Sequence, residues 1–323
     1  MRSSSADWRD VTDVTPLELR SDPPLEIHAE PPTAALHPKT SPQLATLLVG
    51  CPDRKGVVAT LAQVLERHGV AILHADQHTD PAAQMFFQRI RFDLSTLVGD
   101  RGSLEADVRE VCERYGMDYR LYGDRKRRVA IMVSRQDHCL YDLLARYRNG
   151  ELRCDIVSII SNHPDAAPIA KHFAIPFHHL PVTRDTKPQQ EAQICELIYD
   201  AGVELIVLAR YMQILSSAFV ERFPMRIINI HHSFLPAFVG ASPYRQAHDK
   251  GVKLIGATSH YVTADLDQGP IIEQETVRCS HRDSVEDLVR KGRDLEKRVL
   301  ATALRCHLDD RILVYAGKTV VFD

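Results

Sequence analysis

Four apolar runs in the second half of the chain limit what it can fold into: "VAIMVS" (129–134), "CDIVSIISN" (154–162), "ELIVLAR" (204–210) and "RIINIHH" (226–232). Each is nearly continuous rather than alternating, so each reads as a strand buried on both faces. The stretches between them have helical spacing: "CLYDLLARYRNG" ended by Gly150, a helix from Ala166, and "QQEAQICELIYDAG" after a short strand "FHHLPV". This alternation predicts an α/β domain with a Rossmann-like, mostly parallel sheet covered on both faces. In such sheets chemistry gathers beyond the carboxyl ends of the strands. "RIINIHH" delivers its polar residues there.

The first half follows another pattern. "LATLLVG" (44–50) reads as a buried strand, "CPDRKG" turns the chain, and "VVATLAQVLERHG" is a helix with Gly69 as its stop. "VAILHADQHTD" and "QMFFQRIRFDLS" both alternate around Asp80-Pro81, which predicts an antiparallel hairpin. The helix "SLEADVREVCERYG" and the strand "MDYRLYG" complete a βαββαβ order, that of a ferredoxin-like sandwich with helices on one face. The boundaries that follow are a proline-rich tail over 1–42, a ferredoxin-like domain over 43–123, a charged linker over 124–128 and the second domain over 129–323. Prolines 16, 23, 24, 31, 32, 38 and 42 set the tail apart.

Composition excludes several classes. A net charge of −3 gives no general attraction to nucleic acid or anionic membrane. There is no run of eighteen apolar residues and no signal-peptide stretch in the first thirty positions. Seven scattered cysteines without a C-x-x-C pair fit reduced thiols in a cytoplasmic protein better than a disulfide frame.

Positions i and i+2 of a strand face one side, so Asn229 and His231 point together while Ile228 and Ile230 enter the opposite layer. An amide donor beside an imidazole suits attack on a carbonyl, the one stabilising an oxyanion and the other moving a proton. His232 alternates to the other face and reads as structural. "ADLDQGP" adds Asp265 and Asp267, and Gly269-Pro270 forces a turn that pins the second acid near the following strand. Chemistry alone does not choose between the two acids. A zinc site from His163, His178, His179, His231, His232 and His260 lacks any H-x-x-x-H or H-E-x-x-H spacing. Cys139 and Cys154 are weaker candidates still, as nucleophiles.

"NIHHSFLP" and "DLDQGPI" resemble the two signatures of the formyltransferases that use 10-formyltetrahydrofolate, and "VLARYMQILSSAFVERF" their folate-side segment. "CPDRKGVVATLAQ" resembles an ACT domain. The combination, with "HCLYDLL", "SNHPD" and "KTVVFD", resembles the formyltetrahydrofolate deformylases over roughly 44–323. That resemblance implies hydrolysis of 10-formyltetrahydrofolate to formate and tetrahydrofolate, supplying formate for purine biosynthesis and balancing one-carbon pools. It implies no prosthetic group and no metal. Asn229 would hold the formyl oxygen, His231 would pass a proton to N10, and Asp267 would hold and activate water. Arg210, Tyr211, Met212, Gln213, Ile214, Leu215, Thr263, Ala264 and Asp265 would surround the folate. Gln213 stands where transferring relatives often have arginine, and "SRQDHCLYDLL" has no glycine where they cradle a phosphate. The ACT-like turn implies an amino-acid effector at Asp53, Arg54 and Gly56, and a homo-oligomer. The alternatives are a formyltransferase acting on an amine, or an amino-acid-responsive regulator whose enzyme domain is inactive.

Overall fold

The structure, a computed structural model, describes residues 43–237 and 243–323. The proline-rich stretch read as a tail lies outside the described residues.

The N-terminal domain runs β1 (Leu44–Pro52), α1 (Val57–Arg67), β2 (Ala71–Asp80), β3 (Met85–Asp93), α2 (Arg101–Tyr115) and β4 (Asp118–Gly123). Its antiparallel sheet has the order β2-β3-β1-β4. One face buries Leu47, Val49, Ile90 and Phe92 against Leu61, Leu65, Leu104 and Val108 of the two helices. Gly69 and Gly116 follow these helices in the left-handed conformation, which glycine adopts without steric penalty.

The second domain starts with β5 (Arg127–Val133), α3 (His138–Arg148), β6 (Cys154–Ser161), α4 (Ala167–His172), β7 (Phe177–His179) and α5 (Lys187–Asp200). It continues with β8 (Leu205–Leu208), α6 (Ser217–Val220), β9 (Ile227–His231) and α7 (Pro243–Asp249). After these come β10 (Leu254–Tyr261), β11 (Ile271–Arg278), α8 (Val285–Leu308), β12 (Ile312–Tyr315) and β13 (Lys318–Val321). The seven-stranded sheet has the order β11-β10-β9-β8-β5-β6-β7. β7, β6, β5, β8 and β9 are parallel, whereas β10 pairs antiparallel with both β9 and β11. Val129, Ile131 and Val133 of β5 enter the core beside α3 and α8. Ala130 and Met132 enter the core beside α5 and α6. The sheet is therefore covered on both faces, as its continuous apolar strands require. No described helix is long and apolar enough to cross a membrane.

The stretch read as a linker is shorter than its charge suggested, because Arg127 and Arg128 belong to β5. Arg127 donates to the carbonyl of His307 at 2.6 Å and pairs with Asp310, which makes it a half-sheltered structural cation. The open face of the first sheet is also covered. Leu48 and Phe87 pack against Leu313 and Phe322 from the C-terminal hairpin. Arg89 of β3, buried, donates to the carbonyls of Asp309 and Asp310 at 2.9 Å each, satisfying groups that the end of α8 leaves unpaired.

Candidate active site

β9 is central in its sheet and ends at His231. Ile228 and Ile230 join the core under α8, so Asn229 and His231 face the other way, as the alternation predicts. In the antiparallel register β10 sets His260 directly opposite Asn229, and the β10–β11 pairing shifts between Ser259 and His260. Such a bulge re-aims side chains. The His260 Nδ1–H donates to the carbonyl of Tyr261 at 2.9 Å, and Nε2 lies 3.3 Å from the amide nitrogen of Asn229.

Asp267 comes from the loop between β10 and β11. Gly269 makes this approach possible: a Cβ there would lie 1.7 Å from the carbonyl oxygen of Tyr261. The Tyr261 N–H donates to the carbonyl of Pro270 at 2.9 Å, closing the loop on the strand. Asp267 itself holds a positive φ of 55°, uncommon for a residue with a Cβ and a recurrent mark of functional sites. Its carboxylate lies 3.2 Å from Nδ1 of His231 and 3.6 Å from Nε2 of His260. The facing rings of His231 and then His260 outweigh burial and hold the carboxyl well below the usual range. With Nδ1 facing Asp267, Nε2 of His231 is a buried atom with no hydrogen-bond partner among the described residues.

A second polar cluster adjoins the first. Glu296 of α8 is 1% exposed. It accepts from His138 Nε2 at 2.7 Å and from the Tyr244 hydroxyl at 2.6 Å, and lies 3.4 Å from Nε of Arg210. Burial would raise this carboxyl, but His138, Arg210 and Tyr244 together pull it below its ordinary value. Arg210, also buried, donates to the Gln136 side chain at 2.7 and 2.9 Å and to Nδ1 of His232 at 2.5 Å. Because Arg210 has only protons to give, Nδ1 of His232 is the acceptor and its proton sits on Nε2. Burial, then Arg210 and His231, push His232 down to about 4. His138, Cys139 and Glu296 are close enough to hold a metal ion, yet the Arg210 cation already sits at the carboxylate.

Both clusters, His138 excepted, line one cavity of about 700 Å³, within the range of small-molecule sites. Part of its wall is apolar, from Leu208, Met212, Ile214, Leu215, Val262 and Leu266. Met212, Ile214 and Leu266 remain more than half exposed, an apolar surface without a partner among the described residues.

Of the residues read from the sequence, Asn229, His231 and Asp267 meet in this cavity, and Arg210, Tyr211, Met212, Gln213, Ile214, Leu215, Thr263 and Ala264 line it. Asp265 does not. It is exposed, and its carbonyl accepts from Thr263 and Gln268 to shape the turn. Arg210 is at the cavity, but its guanidinium is engaged by Gln136, His232 and Glu296. His232 also departs from expectation. β9 stops before it, so alternation no longer applies, and its ring stacks on His231 at 5.2 Å and 22°. Cys139 and Cys154 are buried, and burial pushes the Cys154 thiol up to about 12. Asp53 and Arg54 are exposed in their turn, and Gly56, at φ 92°, caps α1. The sequence analysis weighed His260 only as a zinc ligand and missed Glu296. Glu296 carried a signal, since it falls on the buried stripe of α8 with Leu288, Leu295 and Val299.

Comparison with known proteins agrees with this geometry. The formyl transferase family model matches residues 127–304 and the ACT domain model residues 45–114. The formyltetrahydrofolate deformylase of Synechocystis is 53% identical over 279 residues, 86% of this chain and 98% of that protein. The crystal structure of a formyltetrahydrofolate deformylase from Pseudomonas syringae pv. tomato superposes with a TM-score of 0.85 at 46% identity, covering 88% of this chain and 96% of that one. Glycinamide ribonucleotide transformylase 1 from Symbiobacterium toebii is similar over 63% of this chain and 98% of its own, with 31% identity and a TM-score of 0.58. With an ACT domain ahead of a formyl transferase domain, and identity of this order along nearly the whole of its relatives, the chain belongs to the formyltetrahydrofolate deformylase family.

Proposed function

We infer that this chain hydrolyses 10-formyltetrahydrofolate, and that the pair His231–Asp267 delivers the water. The observation that carries this reading is the His231 ring in the cavity lining with its Nδ1 facing the Asp267 carboxylate at 3.2 Å. Asp267 orients the ring and stabilises the imidazolium that forms when Nε2 takes a proton from water. This differs from the role read in the sequence, where Asp267 itself activated water. A carboxylate held so far below its ordinary range is a poor base, whereas the lone pair of His231 is available.

Asn229 keeps an N–H beyond its contact with His260, and this N–H stabilises the oxygen of the tetrahedral intermediate. The C–O bond to water forms, the C–N10 bond breaks, and His231 returns the proton to N10. Met212, Ile214, Leu215 and Leu266 cover the folate rings, with Tyr211, Gln213, Thr263 and Ala264 around them. The scheme uses side chains and water, with the folate as substrate and no prosthetic group. Formate from this reaction feeds purine biosynthesis and balances one-carbon pools.

The cytoplasm suits an enzyme with free cysteines, six of seven buried. The N-terminal domain carries the regulatory and assembly roles: an amino acid at Asp53, Arg54 and Gly56, and pairing of subunits through β2. That strand exposes Ile72 and Leu73 and, among the described residues, bonds only to β3. The test of the activity is formate release from 10-formyltetrahydrofolate in buffer without any amine. The expected result is formate and tetrahydrofolate in equal amounts. Formate that appears only with an amine present, or not at all, overturns the reading.

A further inference from the structure

The cavity lining contains two carboxylates among the described residues, Asp267 and Glu296. An amine that is to attack a formyl carbon needs an acceptor for its N–H groups, to hold the lone pair toward the carbon and to take up charge as the bond forms. Asp267 is engaged by His231 and His260. Glu296 is therefore the carboxylate an amine would require, and both of its oxygens are already engaged. His138 and Tyr244 donate to separate oxygens, and Arg210 approaches the oxygen that His138 holds.

This occupation is built into the fold. Gly292 lies one turn before Glu296 in the interior of α8, where a glycine costs about 1 kcal/mol relative to alanine. A Cβ at that position would sit 2.0 Å from the Tyr244 hydroxyl oxygen and 2.1 Å from the ring carbon that bears it. The glycine is thus the space through which Tyr244 crosses α8 to reach the carboxylate. His138 arrives from the other side, at the first position of α3, with Gln136 just before it holding Arg210. Three elements converge on one buried carboxylate, and no donor from solvent is needed to satisfy it.

We propose that His138 and Tyr244 are specificity residues, which lock Glu296 away from amines and so reserve the formyl group for water. They act through Glu296 and do not touch the reacting atoms, so they are positioning residues. A polar site that leaves an incoming N–H unmatched rejects it far more strongly than an apolar wall does. The hydrolytic step needs no help from Glu296, because water is delivered by His231 and Asp267. When the lock is opened, the carboxylate takes an amine N–H. The C–N bond to the amine then forms as the C–N10 bond breaks, and the amine proton passes through His231 to N10. The products are tetrahydrofolate and the formylated amine in place of formate.

The inference rests on the hydrolase reading, and the experiment separates the two. Full-length protein is incubated with 10-formyltetrahydrofolate and a large excess of glycinamide, and formate and formylglycinamide are measured together. Wild type is expected to give formate, with little formylglycinamide. In Tyr244→Phe, and more so in the double variant with His138→Ala, the ratio of formylglycinamide to formate should rise at least about tenfold. His138→Gln, which keeps a donor for Glu296, should stay near the wild-type ratio. A ratio of two products is blind to a general loss of folded enzyme, and Tyr244→Phe keeps the ring if the double variant does not fold. An unchanged ratio in Tyr244→Phe and in every folded variant, with wild type hydrolysing, overturns this inference alone. Formylglycinamide as the main product of wild type overturns the hydrolase reading as well.

Discussion

Two ionisable clusters meet at the carboxyl ends of β8 and β9, built from the same kinds of residue and opposite in one respect. Around Asp267 the carboxylate lies between Nδ1 of His231 and Nε2 of His260, and Nε2 of His231 has no partner among the described residues. Around Glu296 the carboxylate oxygens are engaged by His138, Tyr244 and Arg210, and Nδ1 of His232 by Arg210. The first cluster sets an imidazole against a carboxylate in the cavity lining, an arrangement made for proton transfer. A satisfied network is rigid and holds its neighbours in place. His232 joins the two, with its ring stacked on His231 and its Nδ1 held by Arg210.

The largest expected effect breaks the first cluster at its unpaired atom. His231→Gln keeps a hydrogen-bonding side chain but has no basic lone pair to take a proton from water, and turnover should fall about 10³-fold. Equilibrium folate binding should change less than about threefold, since the apolar wall and the 210–215 segment are untouched. A loss of binding equal to the loss of turnover would make His231 a substrate contact only.

A smaller effect tests the second cluster through His232. Its pKa, about 4 when folded, is depressed by burial and by Arg210 and His231, with Glu296 and Asp267 opposing. The unfolded chain carries an ordinary histidine near 6.5. Between these values the unfolded state binds a proton that the folded state does not, so stability falls as pH drops from about 6.5 to about 4. The loss attributable to this ring approaches roughly 3 kcal/mol. His307, depressed to about 3 by burial, and Asp310, raised to about 6 by burial, titrate in the same region. Both remain in His232→Gln, so the difference between wild type and variant isolates His232. Denaturant unfolding at a series of pH values should show the variant overtaking wild type in relative stability as the solution is acidified. Parallel stability curves would contradict the assignment.

How much of this was legible in the residues differs between the clusters. Strand alternation in "NIHH" put Asn229 and His231 on one face and the stiff Gly-Pro turn of "DLDQGP" brought an acid near them, both local rules, while only the family resemblance chose Asp267 over Asp265. His260 was hidden because its partnership with Asn229 depends on an antiparallel register between two strands separated by a long connection. Glu296, Tyr244 and His138 lie far apart in sequence and meet only because α3, α7 and α8 converge, which no spacing encodes. Their trace was a charge and a glycine on the buried stripe of α8. The parallel core of the sheet was legible from its apolar strands. The antiparallel β10 and β11 and the C-terminal hairpin were not, because their burial patterns are set by the neighbours they happen to cover.

The central claim is that Asp267 works through His231, and the measurement that tests it is single-turnover formate release by Asp267→Asn, with folate binding at equilibrium measured on the same protein. The asparagine keeps the shape of the side chain and removes the charge that orients and stabilises the His231 ring. Release should slow at least about 10²-fold with binding retained, whereas Asp265→Asn, altering a side chain outside the cavity, should change the rate less than about tenfold. A severe defect at Asp265 beside a mild one at Asp267 would contradict the account.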